Sequence, residues 1–189
     1  MLLCGIDEAG RGPIAGPLVV AGVVLKESIS GLNDSKILSE KKREALFEPI
    51  KLNSFYHIVF TDNQTIDKKG LSYCLKKSIL EIMENIKASE YLMDGNTSFG
   101  ISNLNHKIKA DATVQEVSAA SILAKVSRDR FMCDIANTYP NYNFEKHKGY
   151  GTKAHIDAIK EHGYSNLHRV SFKLKALEEF FSPQPKGLF

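Results

Sequence analysis

Four carboxylates occupy positions where chemistry is possible. Asp7 and Glu8 close the apolar run Leu2 to Ile6, and Arg11 follows between Gly10 and Gly12. Asp94 closes Tyr91-Leu92-Met93, and Asp111 follows the short stretch His106 to Ala110. Consecutive strand side chains point to opposite faces, so one member of the Asp7–Glu8 pair should head for the core. An unpaired buried carboxylate is costly. Taken alone, the pair also reads as a strand end running into a polar turn, since aspartate is ordinary turn chemistry. Carboxylates at three strand ends need a common reason. Gathered in one cleft, they repel each other unless a cation neutralises them. Oxygen donors without cysteine or an obligatory histidine suit Mg²⁺ or Mn²⁺. Two such ions about 4 Å apart can activate a water and stabilise the leaving oxygen of a phosphodiester. On this reading Asp7 is the last regular strand residue, and the chain turns at Glu8 so that both carboxylates reach one cleft.

Arg11 suggests a second task. The flanking glycines let backbone N–H groups approach a ligand closely, and a backbone nest with a guanidinium suits a phosphate or a sugar hydroxyl. The stretch Gly10 to Gly16 mimics a dinucleotide fingerprint, but Pro13 and Pro17 lead into a strand where that fingerprint needs a helix.

The elements that must position these groups follow from periodicity. Strands are expected at 2–7, 18–25, 55–61, 91–95 and 106–110, the last ending at Asp111. Helices are expected from Ser39, a plausible N-cap, to about 52; over 63–87 with a break at Gly70; over 113–137; from Thr152 to 162; and over 173–181. Residues 139–151 read as an aromatic and basic loop. Three strands followed by helix-separated strands predict a mixed five-stranded α/β sheet flanked by helices. Its site should lie at the strands' carboxyl ends. One domain over 1–182 is expected, including the C-terminal helices, with a flexible tail over 183–189.

Bulk properties fit this frame. The net charge of +3 and pI near 8.6 are compatible with a polyanionic partner without demanding one. The three cysteines are scattered, and no CxxC or HExxH occurs. That argues against zinc and fits a reducing cytoplasm. No signal-peptide pattern or membrane-length apolar run is present, so a cytoplasmic protein is expected, and the lack of a coiled coil or a conspicuous extra apolar surface suggests a monomer.

Gly5-Ile6-Asp7-Glu8-Ala9-Gly10-Arg11-Gly12-Pro13 resembles the opening motif of bacterial ribonuclease HII, the type 2 ribonuclease H. Six further stretches agree in order: 33–39, 93–95, 109–111, 118–129, 147–152 and 168–172. The resemblance implies a ribonuclease H-like fold. It also implies an endonuclease that cuts the RNA strand of RNA–DNA hybrids and single ribonucleotides embedded in duplex DNA. The cut falls 5′ of the ribonucleotide and leaves a 3′-hydroxyl and a 5′-phosphate. Asp7, Glu8, Asp94 and Asp111 match the family's catalytic metal ligands, with two ions expected in the substrate complex. Gly10, Arg11 and Gly12 match the turn that reads the 2′-hydroxyl, the group that distinguishes RNA from DNA. Tyr150 matches the tyrosine that stacks on the next sugar and favours a ribose-to-deoxyribose junction. The sister type, ribonuclease HIII, carries an extra N-terminal domain and lacks the Gly-Arg-Gly turn.

Lys36, Lys125 and Arg128 are candidate phosphate contacts; the last two are three apart on one helical face. Ser121 reads as a packing serine near the site, and His147 and His155 as surface or loop-packing histidines. Gln184 to Phe189 loosely resembles tails that bind the sliding clamp. Two other readings stand beside the nuclease: a structure-selective DNA nuclease of the same fold group, which has no need of a 2′-hydroxyl reader, and a catalytically silent hybrid-binding module.

Overall fold

The computed structural model describes residues 2–32 and 38–181. Five strands form one sheet: β1 (Leu3–Ala9), β2 (Leu18–Leu25), β3 (Ser54–Thr61), β4 (Glu90–Asp94) and β5 (Leu104–Lys107). Their order is β3-β2-β1-β4-β5. β1 pairs antiparallel with β2 and parallel with β4. The helices are α1 (Glu40–Leu52), α2 (Asn63–Lys69), α3 (Leu71–Asn85), α4 (Gln115–Ala136), α5 (Phe144–His147), α6 (Lys153–His162) and α7 (Lys175–Phe181). Ser39 and Thr152 cap α1 and α6 through their side chains, as their positions suggested. Gly70, at φ +83°, separates α2 from α3.

Alternation along the strands divides the core. Cys4, Ile6, Val20 and Met93 face α2 and α3, where Ile66, Ile79 and Ile82 meet them. Val19, Ala21 and Val23 face the opposite way, against Ile50 of α1 and Ala119, Ile122 and Leu123 of α4. A third cluster joins Ile14 and Met132 to Tyr142, Phe144, Ile159 and Leu177. It locks the C-terminal helices onto the β1–β2 loop and the end of α4.

Gly5 sets the distance between β1 and α4. A Cβ there would lie 2.2 Å from the Glu116 carbonyl carbon and 2.3 Å from Val117 N. Two residues along a strand advance about 6.6 Å, and four along a helix about 6 Å. The same close approach therefore brings Asp7 opposite Ser121. Gly5→Ala is expected to destabilise the fold by about 1–3 kcal/mol, because the opposing atoms are backbone and cannot rotate away. Urea denaturation monitored by circular dichroism measures this.

Three boundaries differ from expectation. The β1 ladder continues past Asp7, because β2 supplies Val20 and Val19 as partners for Glu8 and Ala9. β5 ends at Lys107, and Asp111 sits instead in a one-turn 3₁₀ helix, Ala110–Ala112, entered through Lys109 at φ +58°. The stretch expected as loop contains a 3₁₀ turn, Pro140–Tyr142, as well as α5.

Candidate active site

Asp7, Asp94 and Asp111 each present a carboxylate oxygen, and the three oxygens lie within 4.8 Å of one another. Asp7 shares the α4-facing side of β1 with Gly5 and Ala9. Asp94 is the last residue of β4, out of phase with core-facing Met93. Its Oδ1 accepts the Ala110 N–H at 2.8 Å, which pins the turn that carries Asp111. Asp7 Oδ1 accepts the Glu8 N–H at 2.8 Å, and the Ser121 hydroxyl also bonds this carboxylate. Burial raises the Asp7 pKa well above the usual carboxylate range, and the charges of Glu8 and Asp94 raise it further. Without a cation, the site thus favours the protonated form of Asp7.

Glu8 reaches the site by another route. It is not part of the tight group of three. By alternation it leaves the strand on the face opposite Asp7, beyond the last β1–β4 pair, Ile6 with Met93. Its Oε1 accepts from Arg11 Nη1 at 3.1 Å, while Oε2 is buried without a hydrogen-bond partner. Burial raises its pKa, Arg11 opposes that rise, and Asp94 adds to it. Both carboxylates of the pair thus reach one cleft, but through side-chain length and not through a turn at Glu8.

A cavity of about 410 Å³ adjoins the carboxylates, lined by Glu8, Gly10–Gly12, Arg43, Ser121, Lys125 and Tyr150. A Cβ on Gly12 would sit 3.9 Å from the Tyr150 ring, so the Gly-Arg-Gly turn and the tyrosine face each other. Lys125 Nζ lies 5.8 Å from the centre of the Tyr150 ring and pairs with Asp129 at 2.8 Å. Ser121 therefore does more than pack the helix. Arg43 of α1 also lines the cavity, a cation the sequence reading did not single out. Lys36 lies outside the described residues.

Arg128 corrects an expectation. It is fully buried, and its donors reach three main-chain carbonyls: Pro17 at 2.9 Å, Lys148 at 2.9 Å and Ala15 at 3.0 Å. All three of its nitrogens are thus engaged in clamping the β1–β2 loop to the segment that carries Lys148. Gly10, at φ +99°, makes room for it; a Cβ there would meet Arg128 Nε at 2.4 Å. Arg169 braces the same loop through Gly16 O at 2.9 Å and Arg11 O at 3.4 Å. Burial and neighbouring Arg128 lower its pKa to about 10.

The ribonuclease HII family model matches residues 4–175. The chain belongs to the ribonuclease HII family. The ribonuclease HII of Aliarcobacter butzleri is 68% identical, over 99% of this chain and 98% of that one. Among solved structures, the ribonuclease HII of Archaeoglobus fulgidus, in its complex with PCNA, aligns with a TM-score of 0.80 at 28% identity, covering 93% of this chain and 96% of that one. Ribonuclease H2 of Pyrococcus horikoshii gives 0.78 at 26% identity, covering 95% and 97%. The mixed sheet and flanking helices are thus the ribonuclease H-like fold of ribonuclease HII. No helix among the described residues is long and apolar enough to cross a membrane.

Proposed function

We propose that this ribonuclease HII cuts the RNA strand of RNA–DNA hybrids and single ribonucleotides in duplex DNA. Cleavage falls on the 5′ side of the ribonucleotide and leaves a 3′-hydroxyl and a 5′-phosphate. The observation that carries the reading is the meeting of three aspartate oxygens within 4.8 Å, beside a cavity walled by Gly10–Gly12 and Tyr150.

The donor set fits Mg²⁺ or Mn²⁺. All the donors are carboxylate oxygens, they repel one another, and one Glu8 oxygen is buried without a partner. Asp7, Asp94, Asp111 and Glu8 would hold the metal, with two ions in the substrate complex. A bound ion supplies Lewis acidity and makes a coordinated water more acidic. Asp7 must lose its proton before it can act as a ligand, so metal affinity rises with pH through its raised pKa. The N–H groups of Gly10–Gly12, with Arg11, read the 2′-hydroxyl. Tyr150 stacks on the following sugar. Lys125 and Arg43 contact phosphates, and Lys36 remains a candidate for the same work.

A DNA duplex carrying one ribonucleotide tests the reading. Incubated with Mg²⁺ or Mn²⁺ and mapped at its ends, it should be cut immediately 5′ of the ribonucleotide; an all-DNA duplex should stay intact. Equal cutting of both duplexes refutes the assignment. Tyr150→Ala should lower cleavage at the ribose-to-deoxyribose junction by about 10-fold or more, the scale of one lost base- or sugar-stacking contact. It should weaken binding less, as a mobility shift would show. The segment Gln184 to Phe189 lies outside the described residues. As a clamp-binding tail it remains a proposal, supported by the structure of the Archaeoglobus fulgidus relative in complex with PCNA.

A further inference from the structure

Tyr150 occupies an unusual piece of backbone. Two consecutive left-handed residues precede it, Lys148 at φ +51° and Gly149 at φ +82°. Thr152, two residues later, caps α6. No sheet ladder holds this bend. The Tyr150 carbonyl instead accepts from Thr152 N at 2.8 Å and contacts His155 Nδ1 at 2.9 Å.

The imidazoles behind this carbonyl have a single self-consistent proton arrangement. Ser165 N–H donates to His168 Nδ1 at 2.8 Å. A backbone N–H can only donate, so Nδ1 carries the lone pair and Nε2 the proton. His168 Nε2 lies 3.0 Å from His155 Nε2, so the latter accepts. The His155 proton is therefore on Nδ1, directed at Tyr150 O. His147 fits the same logic: its Nδ1 accepts from Gly149 N at 3.3 Å, and its Nε2–H donates to Tyr142 O at 2.8 Å. The His147 ring stacks on His155, with centroids 4.3 Å apart and planes 18° from parallel. Phe144 packs its edge against His155, and Tyr142 and Tyr164 theirs against His168. His155 and His168 are both fully or almost fully buried.

We propose that His155 and His168 are positioning residues for junction recognition, a neutral two-imidazole relay that holds the Tyr150 main chain and so aims its ring at the cavity. The inference rests on the reading of Tyr150 as the stacking residue. A relay that runs in one direction explains what packing alone does not. Every ring nitrogen of the pair has a partner, and every donor meets an acceptor. Burial lowers the pKa of each to about 4, consistent with neutrality. A second proton on His155 would set two N–H donors against each other across the 3.0 Å contact, and a second proton on His168 would face the Ser165 N–H across 2.8 Å.

The first test is spectroscopic and uses the wild-type protein. Long-range ¹H–¹⁵N spectra at neutral pH should show His155 protonated on Nδ1, with His147 and His168 protonated on Nε2. A cationic His155, or one protonated on Nε2, overturns the inference. The second test measures the ratio of cleavage at a single-ribonucleotide junction to cleavage within a uniform hybrid. His155→Gln puts an amide near Nε2 and loses the donor to Tyr150 O. This ratio should fall about fivefold, the scale of one net hydrogen bond. His155→Asn places its amide nitrogen at the Nδ1 position and should keep the ratio within about twofold of wild type, under the same relation. An unchanged ratio in a folded His155→Gln protein overturns the proposal. Tyr150→Ala separates the two layers: if it too leaves the ratio unchanged, the reading of Tyr150 has failed, whereas a fall in Tyr150→Ala without one in His155→Gln fails the relay alone.

Discussion

Asp7→Asn is expected to lower the cleavage rate by roughly 10³-fold while raising the melting temperature of the metal-free protein. The first effect follows from the loss of a charged oxygen donor in the group of three proposed to hold metal. Metal stabilisation of the transition state is worth several kcal/mol, and each ~1.4 kcal/mol is a factor of ten. The second effect has the opposite sign because the site is strained without its cation. An unfolded aspartate ionises near 3.9. Burial, Glu8 and Asp94 hold the folded Asp7 protonated to a higher pH. Between those two values the folded state binds more protons than the unfolded state, so stability falls as pH rises, and above the folded value the deficit persists. Asparagine removes the titration. The advantage of the variant over wild type in chelator should therefore be absent below about pH 4, grow as pH rises, and level off once wild-type Asp7 has ionised. Saturating Mg²⁺ or Mn²⁺ should reverse the order, since it stabilises the wild type by mass action and the variant less. Calorimetry across pH, with and without metal, measures all of this. A variant less stable than wild type in chelator at pH 8 would contradict the raised Asp7 pKa.

Arg128→Met should be among the most destabilising single substitutions in the chain. Methionine relieves a buried charge but leaves the carbonyls of Ala15, Pro17 and Lys148 without their donors. Each orphaned buried acceptor costs about 1–3 kcal/mol, and three are orphaned at once. A domain of this size loses roughly 2–4 °C per kcal/mol, so a fall of about 10 °C or more is expected. Arg128→Lys should rescue little, because an ammonium cannot reproduce the planar fork that serves three carbonyls. A phosphate contact predicts the reverse: a small change in melting temperature, and a slope of log affinity against log salt reduced by about 0.9. Thermal denaturation combined with a salt series on duplex binding distinguishes the two.

The carboxylate arrangement was legible because its signal is local. Asp94 does end its strand, and Asp7 lies near the end of β1. The errors arose where neighbours decide the outcome. The β1 ladder continues through Glu8 because β2 is long enough to pair with it, and no residue of β1 announces the length of β2. Asp111 left the strand because Lys109 adopts a left-handed conformation, which lysine seldom signals. Arg128 looked like Lys125 by spacing, yet one is buried and the other borders the cavity. That difference belongs to the loop folded over α4. Arg169 and His168 were visible only as members of a motif. Arg169 finds its partner Gly16 153 residues away, beyond any window of periodicity, and His168 meets His155 only because the chain folds back after α6.

The parallel pairing of β1 with β4 has a consequence for how the enzyme comes into being. Leu3 sits opposite Glu90, so the central strand of the sheet waits for a partner from the middle of the chain. The carboxylate group then waits for Asp111. Contacts this distant in sequence slow folding, and chains fold as they emerge from the ribosome. The first strand made thus lacks one neighbour until about half the chain exists, and a nascent chain that ends before Asp111 lacks one of the three clustered carboxylates.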